Sequence, residues 1–129
     1  MLRFVRHDFE GVTVLELRGR MTRPDLIEQQ PRFRDVIEDL LRSSRLKIVL
    51  VYSEVAYQDS TGNGEIVSAL IKARNAGGDI AVVGLQGKVM DLFQITKLGS
   101  VFKCFDTVSN ALSYFGVAAE GSTDEVSEE

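Results

Sequence analysis

Two neighbouring stretches decide how this chain folds. They are Ile48-Val49-Leu50-Val51-Tyr52 and, after a short interval, Asp59-Ser60-Thr61-Gly62-Asn63-Gly64. The first is an unbroken apolar run, rich in β-branched residues. It reads as a strand covered on both faces, hence a central strand of a sheet flanked by helices. The second lies at the carboxyl end of that strand, where a helix begins. Ile66, Val67, Leu70 and Ile71 place one apolar face on that helix, and Gly77-Gly78 ends it.

Upstream, Arg3 to His7 and Val12 to Leu17 read as two strands joined at a Glu10-Gly11 turn, an N-terminal hairpin. Gly19 to Gln30 reads as irregular or only briefly helical, and Met21 as a packing or loop residue. Pro31 suits the first position of a helix running to about Ser43. Phe33, Val36, Ile37, Leu40 and Leu41 form its apolar stripe, with Asp35, Glu38 and Asp39 facing away. Downstream, Ile80 to Val83 is a second buried strand. Val89, Leu92, Phe93 and Thr96 mark a shorter helix that Gly99 ends. Val101 to Phe105 is a last short strand. Thr107 caps a last helix reaching Phe115, with Ala111, Leu112 and Phe115 inward. The order β-β-α-β-α-β-α-β-α predicts an α/β fold, a mixed and mostly parallel central sheet with helices and right-handed crossovers.

The chain has 129 residues, 44% hydrophobic and 26% charged, as expected for one soluble domain. A single cysteine, Cys104, excludes an intramolecular disulfide, and it reads as a small buried hydrophobe. With one cysteine and one histidine (His7), a zinc site has too few ligands, and no metal is expected. No apolar stretch approaches bilayer length and Met1 to Arg6 lacks a signal-type apolar block, so a cytoplasmic protein without membrane contact is expected. The net charge of −4 is concentrated at one end. Residues 118–129 carry five acids and no base, which leaves residues 1–117 at +1. Neither a nucleic-acid stripe nor a polybasic membrane patch follows. The expected division is a domain over 1–117 and an acidic, disordered tail over 118–129.

Chemistry concentrates in Asp59 to Gly64. Asp59 or Ser60 can cap the helix, and Gly62 and Gly64 bring its backbone to the surface although each is a poor helix former. The segment supplies only the first two glycines of a dinucleotide fingerprint and lacks the Gly-Lys-Ser/Thr of a phosphate loop. Asp-Ser-Thr-Gly is not a nucleophile elbow, and His7 is the one possible base. From the residues alone, a plain capping turn and a turn built for close approach both remain open.

The same segment, in this order of elements, resembles the signature of STAS domains, and more closely that of bacterial anti-sigma factor antagonists. Those proteins place Asp-Ser-Ser/Thr-Gly-Leu-Gly after a buried strand. Leu17-Arg18-Gly19 resembles the end of their hairpin, Ala76 to Leu85 their helix stop and next strand, and Leu98 to Phe102 and Asn110-Ala111-Leu112 their later elements. The resemblance spans about residues 3–116. It implies partner switching without catalysis and without a cofactor. The unphosphorylated antagonist binds an anti-sigma factor that is also a serine kinase, and phosphorylation dissociates the complex. A PP2C-type phosphatase resets it.

Carried onto this chain, the phosphorylated residue is Ser60, with Thr61 the adjacent hydroxyl. The partner-binding surface is expected from Thr22, Arg23, Tyr57, Gln58, Asp59, Ser60, Thr61, Gly62, Asn63 and Gly64, in a monomer or weak homodimer. Arg18, Arg20 and Arg23 cluster after the hairpin as a loop or a rim contact to an acidic partner. The chain departs from the family pattern at Asn63 and Gln58, where apolar residues are usual, and at Val51 and Thr22, where acidic or amide residues are usual. Asp25 is a displaced substitute for the acid near Thr22. A STAS scaffold subunit of a stressosome-like or lipid-transport complex, without a phospho-switch, is the alternative. A small α/β enzyme or nucleotide binder is a third reading.

Overall fold

The apolar run predicted as a central strand lies within Lys47–Gln58, the third strand (β3) of a five-stranded sheet. In the computed structural model, which describes residues 1–117, the sheet order follows the chain: β1 (Leu2–Phe9), β2 (Val12–Met21), β3, β4 (Asp79–Val83) and β5 (Lys103–Phe105). β1 and β2 are antiparallel and every other pair is parallel. The fold is therefore the expected α/β type with a mixed, mostly parallel sheet. The predicted acidic tail, 118–129, lies outside the described residues.

The alternation of side chains along β3 builds two cores. Ile48, Leu50 and Tyr52 face one side, packed with residues of α2 (Phe33–Arg42), α3 (Ser60–Asn75) and α4 (Gly87–Ile95). Val49 and Val51 face the other, against Val108, Ala111 and Leu112 of α5 (Val108–Tyr114). Val14 pairs with Val49 and Val49 with Ala81, so the apolar rows run across the strands in register. Burying residues of this size on both faces stabilises each by about 1.5–3 kcal/mol. Thr107 caps α5 as expected, its hydroxyl accepting the Asn110 N–H at 3.1 Å.

Several boundaries differ from the sequence expectation, each for a tertiary reason. β2 does not stop at Leu17 but runs to Met21, because β3 also continues to Gln58 and pairs with it as far as Met21↔Gln58. Arg18 and Arg20 are therefore strand residues. The brief helix expected between Gly19 and Gln30 is α1 (Arg23–Glu28), with Pro24 in its first turn. Pro31 does not open the next helix. It follows a cis peptide bond, and α2 starts at Phe33 with Arg32 at the N-cap.

Gly99 does not end α4, which closes at Ile95. Lys97 takes the left-handed turn, and Gly99 sits inside a 3-10 turn, Leu98–Ser100, that tucks Leu98 and Phe102 into the core. That excursion leaves only Lys103–Phe105 for β5. Ile71 is 54% exposed, because Ala69 and Ala73 share the buried face of α3 with Ile66 and Leu70. Cys104 is exposed rather than buried: it stands on the edge strand beside a shallow cleft lined by Leu85 and Met90.

Candidate functional site

The turn at the carboxyl end of β3 is organised by Asp59. Its extended backbone ends the strand, and its side chain caps α3, Oδ1 accepting the Gly62 N–H at 2.9 Å. Asp59, not Ser60, is thus the cap, which resolves the choice left open by the sequence. The other carboxylate oxygen accepts the Arg23 N–H at 2.9 Å, 36 residues away in sequence. One side chain therefore satisfies donors at the start of both α1 and α3, where first-turn N–H groups lack helical partners.

The two glycines of the turn differ in role. Gly62 is buried, and a Cβ there would collide with the Met21 carbonyl oxygen and with Gln58 Cγ. It is required so that α3 can approach the end of β2. At Gly64 a Cβ would meet nothing, and the position is exposed. No contact within the described residues calls for a glycine there.

Ser60 is exposed at the first helical position, beside Tyr57, which is 49% exposed. Thr61 is half-buried and turns toward a groove of about 370 Å³ between α2 and α3. The Arg34–Glu65 and Lys72–Glu38 ion pairs, each at 2.7 Å, flank that groove. Glu65 holds the Arg34 guanidinium charge more firmly, and the Lys72 ammonium lowers the pKa of Glu38, both through exposed contacts.

Gln58, expected on the partner surface, is instead only 1% exposed. Its Oε1 accepts from the buried Tyr52 hydroxyl at 2.7 Å, and its Nε2 donates to Asn63 Oδ1 at 2.8 Å. Burial pushes the Tyr52 phenol well above its ordinary range, so it stays a protonated donor. Gln58 and Gly62 support the site from beneath, and Tyr57, Ser60 and Gly64 form its outer surface, with Thr61 and Asn63 partly exposed.

Thr22 is the N-cap of α1, and its hydroxyl donates to Asp25. Asp25 is 5% exposed and also meets the Met1 amine at 2.9 Å and Arg20 at 3.3 Å. The Thr22 hydrogen bond, then that of the amine, with a smaller pull from Arg20, holds its carboxyl at about 2. Asp25 thus turns inward and offers no charge to a partner, whereas Arg23 is exposed. Arg32, Arg34, Glu65 and Tyr52 were not singled out from the sequence. The Arg34–Glu65 contact spans 31 positions and has no local signal, but a tyrosine inside an apolar strand does demand a polar partner.

Among the described residues no group of three or more His, Cys, Asp or Glu side chains could hold a metal ion, and no helix is long and apolar enough to cross a membrane.

This architecture and turn define a known class. The STAS domain family model matches residues 5–111, and the chain belongs to that family. A protein of Thermotoga neapolitana named as a candidate anti-sigma factor antagonist is 36% identical over 77 residues, 60% of this chain and 68% of that protein. The crystal structure of a candidate anti-sigma factor antagonist from Thermotoga maritima superposes with a TM-score of 0.78 at 28% identity, covering 86% of this chain and 92% of that one. The Bacillus cell fate determinant SpoIIAA, solved in its phosphorylated form, has the same fold, with a TM-score of 0.66 at 16% identity over 88% of this chain and 99% of that one.

Proposed function

We propose that this protein is an anti-sigma factor antagonist switched at Ser60. In the unphosphorylated state it binds an anti-sigma factor that is also a serine kinase. Phosphorylation of Ser60 ends that complex, and a PP2C-type phosphatase restores it. The protein acts by binding, not by catalysis. The observation that carries the reading is the placement of Ser60: an exposed residue at the first position of a capped helix, with an exposed tyrosine three positions before it and, four positions after, a glycine at which a Cβ would meet open space. The names of its relatives support the antagonist function.

The chemistry fits. A kinase must seat the Ser60 hydroxyl against the γ-phosphate of ATP, which needs exposed backbone with little obstruction. The product carries about −1.5 to −2 charge and three acceptor oxygens. At a helix N-terminus that charge is not destabilising to the fold. Its effect falls on the partner, through bulk and through repulsion that adds to the Asp59 carboxylate.

Incubation with the cognate kinase and ATP is the test. Intact mass should rise by one phosphate, about 80 Da, and Ser60→Ala should abolish the gain. A phosphate found on another residue overturns the assignment.

A further inference from the structure

Between α1, the start of α2 and the first turns of α3 lies a cavity of about 260 Å³. Arg23, Arg32 and Arg34 line it together with the buried Leu26 and Phe33, and Thr61 forms part of its wall. Glu65 is the one acid in the lining, and it is engaged by Arg34 at 2.7 Å. Among the described residues, no carboxylate lies within ion-pair distance of Arg23 or Arg32. Three arginines and one acid therefore line one small space, and the Asp59 carboxylate beside it is turned to the backbone N–H groups of Arg23 and Gly62. Such a gathering repels itself, and an anion entering the space relieves the repulsion. Guanidinium groups also match tetrahedral oxyanions geometrically, because each presents paired donors in a planar fork. The apolar floor limits hydration on one side, which strengthens charge-assisted hydrogen bonds made above it.

We propose that this cavity is an oxyanion site for a phosphate-class group, bound mainly by Arg23 and Arg32, with the Thr61 hydroxyl as a further donor. Arg34 stays with Glu65 and contributes field rather than a direct bond. The site is separate from Ser60, which does not line the cavity, although both lie on the first turn of α3. The phosphate has two possible sources, a soluble phosphorylated ligand or the phosphoryl ester that the switch reading places on Ser60. Only the second source rests on that reading.

Inorganic phosphate is the probe. It is titrated into the unmodified protein at constant ionic strength, with chloride as the exchanged ion, and followed by amide and arginine Nε–H resonances. The Thr61 amide and the Arg23 and Arg32 Nε–H signals should shift together and saturate, while Arg3 and Arg6 on the far strand should not. Arg23→Gln combined with Arg32→Gln should weaken binding at least about tenfold, the scale expected for losing one charge-assisted bond or more. Far-UV circular dichroism verifies that the double variant is folded, and each single variant serves as a second measurement.

The same titration on protein phosphorylated at Ser60 separates the sources. Loss of phosphate binding places the chain's own phosphoryl group in the cavity, and unchanged binding assigns the site to a soluble ligand. Shifts that never saturate, that spread equally over Arg3 and Arg6, or that persist unchanged in the double variant overturn the proposal. None of these results requires a kinase to act on the protein in the first titration, so the site can fail while the switch stands, and the reverse.

Discussion

Gln58 Nε2 donates to Asn63 Oδ1 at 2.8 Å, linking the last residue of β3 to the first turn of α3. The two residues are the positions at which the chain is more polar than the family pattern, and they satisfy each other. With the Tyr52 hydroxyl donating to Gln58 Oε1, they form a three-member chain reaching from the core to the surface. This order of donors leaves the Asn63 Nδ2 group without a hydrogen-bond partner among the described residues.

This chain should behave as a unit when it is cut. Asn63→Leu strands the buried Gln58 amide, and Gln58→Leu strands the Tyr52 hydroxyl. Each should cost about 1–3 kcal/mol, the penalty for an unpaired buried polar group. The triple change Tyr52→Phe, Gln58→Leu, Asn63→Leu should cost less than the sum of the singles, since it leaves no orphan. Urea unfolding of the singles and the triple measures this. Strict additivity would show that the three side chains are energetically independent.

Asp59 should hold α1 as well as α3. Asp59→Ala removes the acceptor for both the Gly62 and Arg23 N–H groups. A loss of about 1–2 kcal/mol is expected from the α3 cap alone. Hydrogen exchange gives the sharper readout: the Arg23 amide should lose protection although it lies 36 positions away. Unchanged protection at Arg23 would mean that α1 is fastened by the packing of Leu26 and not by the carboxylate.

How much of this was legible in the sequence depended on the range of the cause. Ile48 to Tyr52 announces its own burial, and Asp59 announces a cap, because both signals are local. The end of β2 is not local. Gly19 and the arginines around it look like a loop, and they become strand only because β3 extends to Gln58 and pairs with them. Helix α1 is six residues long and leans on an acceptor from another part of the chain. Gln58 was misplaced for the same reason. The resemblance puts it on the partner surface, whereas the strand continues and turns that side chain under Asn63. Cys104 reads as a small buried hydrophobe, but an edge strand of three residues leaves it uncovered.

Gly62 and Gly64 should separate under the same substitution. Gly62→Ala drives a methyl group into the Met21 carbonyl, and the backbone must move, at a cost of about 1–3 kcal/mol or more. Gly64→Ala meets open space on an exposed helix, so it should stabilise the protein by about 0.5–1 kcal/mol. Thermal unfolding of the two variants decides. If Gly64 is present to let a partner approach, the stabilised Gly64→Ala protein should also bind its anti-sigma factor more weakly. Unaltered binding would remove Gly64 from the contact surface.

Asp25 should set part of the acid limit of stability. Its carboxyl is held at about 2 in the folded protein, against 3.8 for an unperturbed aspartate. A group depressed on folding stabilises the fold fully above its unfolded value, and the stabilisation is lost as the pH falls through the folded value. The window therefore runs from about pH 4 down to about pH 2. Asp25→Asn should flatten the stability curve there while lowering stability at neutral pH. An unchanged slope between pH 4 and pH 2 would mean that the Thr22, Met1 amine and Arg20 contacts do not hold the Asp25 carboxylate in solution.

The switch itself is tested by adding charge where the phosphate is proposed to go. Ser60 is exposed and engages neither the Asp59 cap nor the Gln58 chain, so Ser60→Asp removes no bond that the fold uses. A negative side chain in the first turn also sits favourably in the field of the helix. The melting temperature should therefore stay within about 2 °C, as for a surface substitution in a domain of this size. Binding to the cognate anti-sigma factor should fall at least about tenfold, because the added carboxylate puts a second negative charge beside Asp59 on the surface proposed to meet the partner. Calorimetry of binding and of unfolding on one preparation gives both numbers. A large fall in melting temperature with proportionate loss of binding would mark Ser60 as a structural position. Full stability with full binding would leave the exposed hydroxyl without a role in partner release.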